Sequence, residues 1–109
     1  MDKKRVFAMQ EVFHTSTTDS IPGEAIQKNL GVISAFNEAV YSPDTLHRQA
    51  EDTLRELTRK ARELGATGLV AVRFLPTQNF YGVRCMYGYG TAVVTHKITW
   101  PHAADDGER

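Results

Sequence analysis

SPDTLHRQAEDTLRELTRKARELG, residues Ser42 to Gly65, is the stretch whose reading decides the fold. Ser42, Pro43 and Asp44 predict a helix start: a hydroxyl cap, a proline whose missing N–H costs nothing in the first turn, and an acid set against the helix dipole. From there Leu46, Ala50, Leu54, Leu57, Ala61 and Leu64 step by four and three, drawing one apolar stripe along a helix of about 22 residues, roughly 33 Å. Gly65 ends it as the C-terminal cap. The opposite side sets Glu51 against Arg55 and Glu56 against Lys60 at the favourable i,i+4 spacing. With these basic partners, Glu51, Asp52, Glu56 and Glu63 read as solvated surface charge rather than as a catalytic carboxylate pair.

Working outward, both flanks read as strands. Upstream, the near-alternating segment Val6 to Thr15 predicts a strand, and the cluster Thr15-Ser16-Thr17-Thr18-Asp19-Ser20 breaks it. After Pro22-Gly23, residues Ala25 to Phe36 place Ile26, Leu30, Val32 and Phe36 on one side, with a bulge or bend expected at Gly31. Downstream, Leu69 to Leu75 is an aliphatic run with Val70, Val72 and Phe74 assigned to one face. A turn region from Pro76 to Gly82 leads into a last strand from Val83 to about His96. Its odd positions carry Val83, Cys85, Tyr87, Tyr89, Thr91 and Val93, whereas its even positions carry Met86, Gly88, Gly90, Ala92 and Val94. The small even face predicts close approach of the helix. The fold class is therefore α+β, a small β-sheet with one long helix packed on one face.

The chain has 109 residues, 41% hydrophobic and 24% charged, the balance of an ordinary globular protein. Residues 1–100 are expected to form one domain and 101–109 a disordered tail. Thirteen basic residues balance thirteen acidic ones, so no global field steers the chain toward nucleic acid or an anionic membrane. Gln10, Glu11 and His14 interrupt what would be the apolar core of a signal peptide, and no apolar run approaches the roughly 20 residues of a membrane span. The one cysteine, Cys85, excludes an intramolecular disulfide and any CxxC pair. These features together predict a cytoplasmic protein.

One helix covers one face of a sheet, yet both faces of the last strand carry apolar or aromatic side chains. Tyr87, Tyr89, Val93 and their neighbours are expected to form a patch larger than soluble monomers usually leave exposed. Self-association is the expected cover. The competing reading is that the N-terminal strand folds over the same face.

The motifs Thr17-Thr18-Asp19, Ile21-Pro22-Gly23, Leu30-Gly31-Val32-Ile33, Leu64-Gly65-Ala66, Leu69-Val70-Ala71-Val72-Arg73-Phe74 and Tyr89-Gly90-Thr91-Ala92-Val93 occur in the order found in the YbjQ-like family, which this chain resembles over about residues 15 to 95. The resemblance implies a dodecin-like subunit with a β-α-β-β core, assembled with copies of itself into a closed, pentameric ring. It also brings a heavy-metal-binding label, and it leaves any cofactor unknown. The family usually has a longer glycine- and arginine-rich segment before the helix, and here Ser34 to Tyr41 replaces it.

Three chemistries are weighed. For a metal, the weak candidates are Cys85, His14 and His96; no two histidines or cysteines stand at a ligand spacing such as i,i+4 on a helix, although His14 and His96 can meet across strands. For a small ligand, Thr17, Thr18 and Asp19 offer hydroxyls and backbone N–H groups to an anion if Arg73 points the same way, against the alternative of a hydrogen-bonded turn. Tyr87 and Tyr89 offer a stacking surface at a subunit junction, against plain interface packing. For catalysis, no nucleophile and base are nominated. The expected function is a homo-oligomeric binding or scaffold module holding a small ligand or metal at subunit junctions, with a small-molecule enzyme as the alternative.

Overall fold

The computed structural model describes residues 12–99. The expected strand residues 6–11 and the expected tail 101–109 lie outside them. Five elements follow in chain order: β1 (His14–Thr15), β2 (Glu24–Asn37), α1 (Arg48–Glu63), β3 (Gly68–Gln78) and β4 (Arg84–Lys97). The four strands form one mixed sheet in the order β1-β3-β4-β2, with β1 parallel to β3 and the other pairings antiparallel. The helix packs on one face, as the sequence predicts.

The helix is shorter than its sequence signals suggest. Ser42 and Thr45 bond to each other instead of capping: Thr45 Oγ1 accepts from the Ser42 N–H at 3.0 Å, and the Thr45 N–H donates to the Ser42 carbonyl at 3.0 Å. Further three-residue bonds, from Arg48 to Thr45 and from Gln49 to Leu46, carry tight turns up to the first α-helical residue, Arg48. The C-terminus ends as expected. Ala66 N–H reaches the Ala61 carbonyl and Gly65 N–H the Arg62 carbonyl, a Schellman closure that needs the positive φ of 88° at Gly65.

The buried line of α1 runs through Gln49, Thr53, Leu57 and Ala61, so its first half is polar where the stripe of leucines predicted apolar contact. Leu46 and Leu64 are exposed. The expected outer pairs are also re-sorted. Asp52 pairs with Arg55, and Arg59 with both Glu56 and Glu63. Lys60 instead donates to the Ser34 carbonyl at 2.8 Å, tying α1 to β2.

Leu57 and Ala61 pack on Ala35, Leu69, Val72 and Ala92 to form the core. Their close approach depends on Gly88, where a Cβ would fall 2.8 Å from Thr53 Cγ2 and 3.2 Å from Leu57 Cδ1. The small even face of the last strand does the job expected of it. In β2, the anticipated irregularity at Gly31 is a register shift against β4, with φ at 106°.

β3 contains an irregularity that the sequence did not announce. Ala71 has φ 54°, and the pairing with β4 slips between Val70 and Arg73. This inserted residue reverses the side-chain alternation. Leu69 and Val72 therefore both face the helix, while Val70, assigned by simple alternation to the same face as Val72, turns to the opposite side.

β1 and β2 occupy opposite edges of the sheet, so residues 16–23 cross the face that α1 leaves open. Ile21 on this crossing packs against Val70 and Val93, and all three are buried. Backbone bonds pin the crossing to β3: Ser16 N–H to the Leu69 carbonyl, Val72 N–H to the Ser16 carbonyl, and Ala71 N–H to the Thr18 carbonyl. The bulge at Ala71 thus turns an N–H outward to hold the crossing segment. Val93, expected in an exposed patch, lies beneath it.

Candidate functional site

Beyond the reach of Ile21, the open face consists of aligned cross-strand rungs. Phe36, Tyr87 and Leu75 are mutual register partners across β2, β4 and β3, followed by Ser34, Tyr89 and Arg73. Side chains in such rungs stand about 5 Å apart and touch. The Tyr87 and Tyr89 rings lie 5.8 Å centre to centre, tilted by 50°. Phe36 is 51% exposed, Leu75 49%, and Val32, on the next rung, 74%. Exposure of this order along one continuous surface contrasts with the sealed helix side, where Leu57, Leu69 and Ala92 are fully buried.

The turn expected to hold an anion sits at the border of this surface. Thr18 is committed internally: its hydroxyl lies 2.7 Å from Ser16 Oγ and donates to the Ser20 carbonyl at 3.0 Å. Thr17 offers its carbonyl rather than its hydroxyl, accepting from Arg73 Nη1. Arg73 Nη1 also donates to the Val72 carbonyl at 2.9 Å. Asp19 is exposed in the same turn. The structure therefore brings Thr17, Thr18, Arg73, Tyr87 and Tyr89 into one neighbourhood, with Arg73 as the link, since it bonds the turn and stands beside Tyr89. Ser16, Thr18 and Ser20 hydrogen-bond among themselves within the turn.

No family model matches the chain. Individual proteins do. It is 32% identical over 93 residues to a UPF0145 protein of Methanocaldococcus jannaschii, covering 77% of this chain and 93% of that one. The chain belongs to the UPF0145 family. A second UPF0145 protein, of Thermococcus kodakarensis, is 45% identical over 47 residues, covering 43% of this chain and 42% of its own length. A crystal structure from Pediococcus pentosaceus, described as a protein with unknown function of the DUF74 family, superposes with a TM-score of 0.50 at 18% identity, over 80% of this chain and 100% of that one, and so shares the fold. UPF0145 is the YbjQ-like family that the ordered motifs resemble, and it has no established activity.

In this UPF0145 chain the three weak metal candidates separate into two places. Cys85 is fully buried, its thiol directed at the Val83 carbonyl at 3.3 Å. It lies toward the opposite end of β4 from His96, roughly 35 Å away at ~3.3 Å per residue. His14 and His96 do line one cavity, with His14 Nε2 3.8 Å from Glu24 Oε2. Among the described residues, no group of three or more histidine, cysteine, aspartate or glutamate side chains could hold a metal ion. No helix among them is long and apolar enough to cross a membrane.

Sequence reasoning missed one polar cluster altogether. Asn37 Nδ2 donates to Tyr41 Oη at 2.9 Å, to Thr53 Oγ1 at 3.2 Å and to the Gln49 carbonyl at 3.3 Å, while Tyr41 Oη donates to Asp52 Oδ2 at 2.8 Å. The Tyr41 hydroxyl, followed by the Arg55 guanidinium, holds the Asp52 carboxyl below its ordinary range. The cluster fastens the connection between β2 and α1. That connection begins only at Glu38, since Ser34 to Asn37 belong to β2. Glu56, on the same side of α1, is likewise lowered by its hydrogen bond to Arg59. All these carboxylates have cationic or hydroxyl partners, which suits surface anchoring.

Proposed function

We propose that this protein is a self-assembling binding or scaffold module of the cytoplasm, whose copies meet through the open face of the sheet. The observation that carries the reading is the rung Phe36–Tyr87–Leu75, apolar across three strands and exposed in the isolated subunit. A face of this kind is covered when a second copy docks, because removing its apolar area from water is worth about 25 cal/mol per Å². The pentameric ring implied by the family resemblance gives each copy two neighbours. A small ligand then sits at the junction beside Tyr87 and Tyr89, whose tilted rings offer a flat, amphipathic wall. Arg73 supplies a cation there, and Thr17 and Asp19 border it.

The test is native mass spectrometry of untagged protein purified without chelators, on the wild type and on Phe36→Asp. Phe36 is half-exposed in a single copy, so the substitution spares the fold. An unpaired carboxylate buried at a contact costs several kcal/mol and is expected to convert the assembly to subunits. A monomeric wild type, or a Phe36→Asp variant that assembles fully, would overturn the proposal. Extra mass on the wild-type assembly that is lost in Tyr89→Ala identifies the junction ligand.

A further inference from the structure

A second site lies at the end of the sheet where α1 finishes, lined by residues of α1, β1, β2 and β4. The cavity there has a volume of about 510 Å³, within the range of roughly 300–1,000 Å³ typical of small-molecule pockets. Its wall carries Arg62, Lys97, His14 and His96 against one carboxylate, Glu24. Glu24 is already met by His14 at 3.8 Å. A chain of zero net charge thus gathers guanidinium, ammonium and imidazole groups around a single concavity.

The arrangement selects among ligand classes. Two imidazoles and a carboxylate are metal-type donors, but no three of them could share an ion. Arg62 differs from Arg55 and Arg59 on the same helix. Arg55 and Arg59 pair with carboxylates on α1 itself, whereas the Arg62 guanidinium lies over the Phe13 ring, 4.9 Å from its centroid. Stacking fixes the plane of the guanidinium and leaves its edge for an acceptor. Thr67 and Thr95 add hydroxyls 3.2 Å apart, and Phe13 with Ala66 gives the cavity an apolar side.

We propose that this cavity binds a small organic anion, a carboxylate or phosphate head carried on a short apolar body. Arg62 and Lys97 hold the head, the histidines and the threonine hydroxyls complete its hydrogen bonds, and the body lies along Phe13. The exposed rung of Phe36, Tyr87 and Leu75 contributes no residue to this cavity.

Isothermal titration calorimetry of the full chain with hexanoate, hexyl phosphate and hexylamine tests it. Saturable binding of hexanoate or hexyl phosphate, with none of hexylamine, is expected, and whichever anion binds names the head group. Arg62→Gln and Lys97→Gln each weaken that binding about tenfold, as loss of a charge-assisted hydrogen bond does, and the double variant abolishes it. Both side chains are exposed, and unchanged circular dichroism checks that the variants fold. Absence of saturable binding by both anions, equal binding of the amine, or unchanged affinity in the double variant would each overturn the proposal.

Discussion

Gly88→Ala is the most direct test of how helix and sheet are held together. The added methyl meets Thr53 Cγ2 at 2.8 Å, Leu57 Cδ1 at 3.2 Å and Phe74 Cδ1 at 3.3 Å. The first distance is closer than real carbon contacts allow, and Thr53 and Leu57 are both fully buried, so neither has free space to enter. Overpacking of this kind costs about 1–3 kcal/mol. Replacing a strand glycine by alanine returns about 0.5–1 kcal/mol of chain entropy. At mid-range the net loss is then about 1 kcal/mol, which thermal unfolding at fixed protein concentration reads as about 4–8 °C. The diagnostic variant is Gly88→Ala with Thr53→Ser. Serine removes the methyl that clashes but keeps the hydroxyl that donates to the Gln49 carbonyl at 2.6 Å, so it restores part of the loss. An unchanged melting temperature in Gly88→Ala, or no recovery in the double variant, would refute the argument that this glycine sets the helix distance.

Ile21→Ala removes the side chain that closes the crossing over Val70 and Val93, with an expected cost of about 2–5 kcal/mol by chemical denaturation. Val93→Asp, which places a charge in the same buried cluster, is expected to prevent folding, unlike Phe36→Asp. Asn37→Ala removes the donor to the buried Thr53 hydroxyl and to the Tyr41 hydroxyl and costs about 1–3 kcal/mol in the same assay. For Asp52, the folded-state value is depressed below 3.8 by Tyr41 and Arg55. Its stabilising contribution is therefore present above the unfolded value and is lost as pH falls through the folded one. Tyr41→Phe moves the Asp52 titration upward, which carboxyl-detected NMR follows directly; an unmoved titration would mean that the hydroxyl does not govern it.

Signals that act locally were legible. The leucine spacing announced a helix, Gly65 its end, and Gly31 an irregular strand, because each depends on a few neighbouring residues. The start of the helix was misplaced because Ser42 and Thr45 satisfy each other in tight turns, a choice that composition alone does not decide. Gln49 and Thr53 gave no sign of burial, since their burial rests on Asn37 from a distant strand. Ala71 carries none of the glycine signature of a bulge, so simple alternation put Val70 on the wrong face. Within the candidate site, the Tyr87–Tyr89 surface was readable from strand alternation. Its depth was not, because Ile21 reaches Val93 only through a crossing that no local pattern predicts. His14 and His96 line one cavity although β3 separates their strands, so they are not the neighbouring-strand pair that the sequence suggests, and Arg62 and Lys97 join them only once the end of the helix is placed over the sheet.

The crossing from β1 to β2 also sets an order of events. The segment is early in the chain, yet His14 and Thr15 pair with Gly68 and Leu69, and Ile21 needs Val70 and Val93 beneath it. During synthesis its docking ground does not exist until β3 and β4 have emerged. Contacts so distant in sequence are slow to close, so residues 14–21 are made before the strands they dock on and are among the last to lock, and the crossing acts as a clasp fastened over a finished sheet.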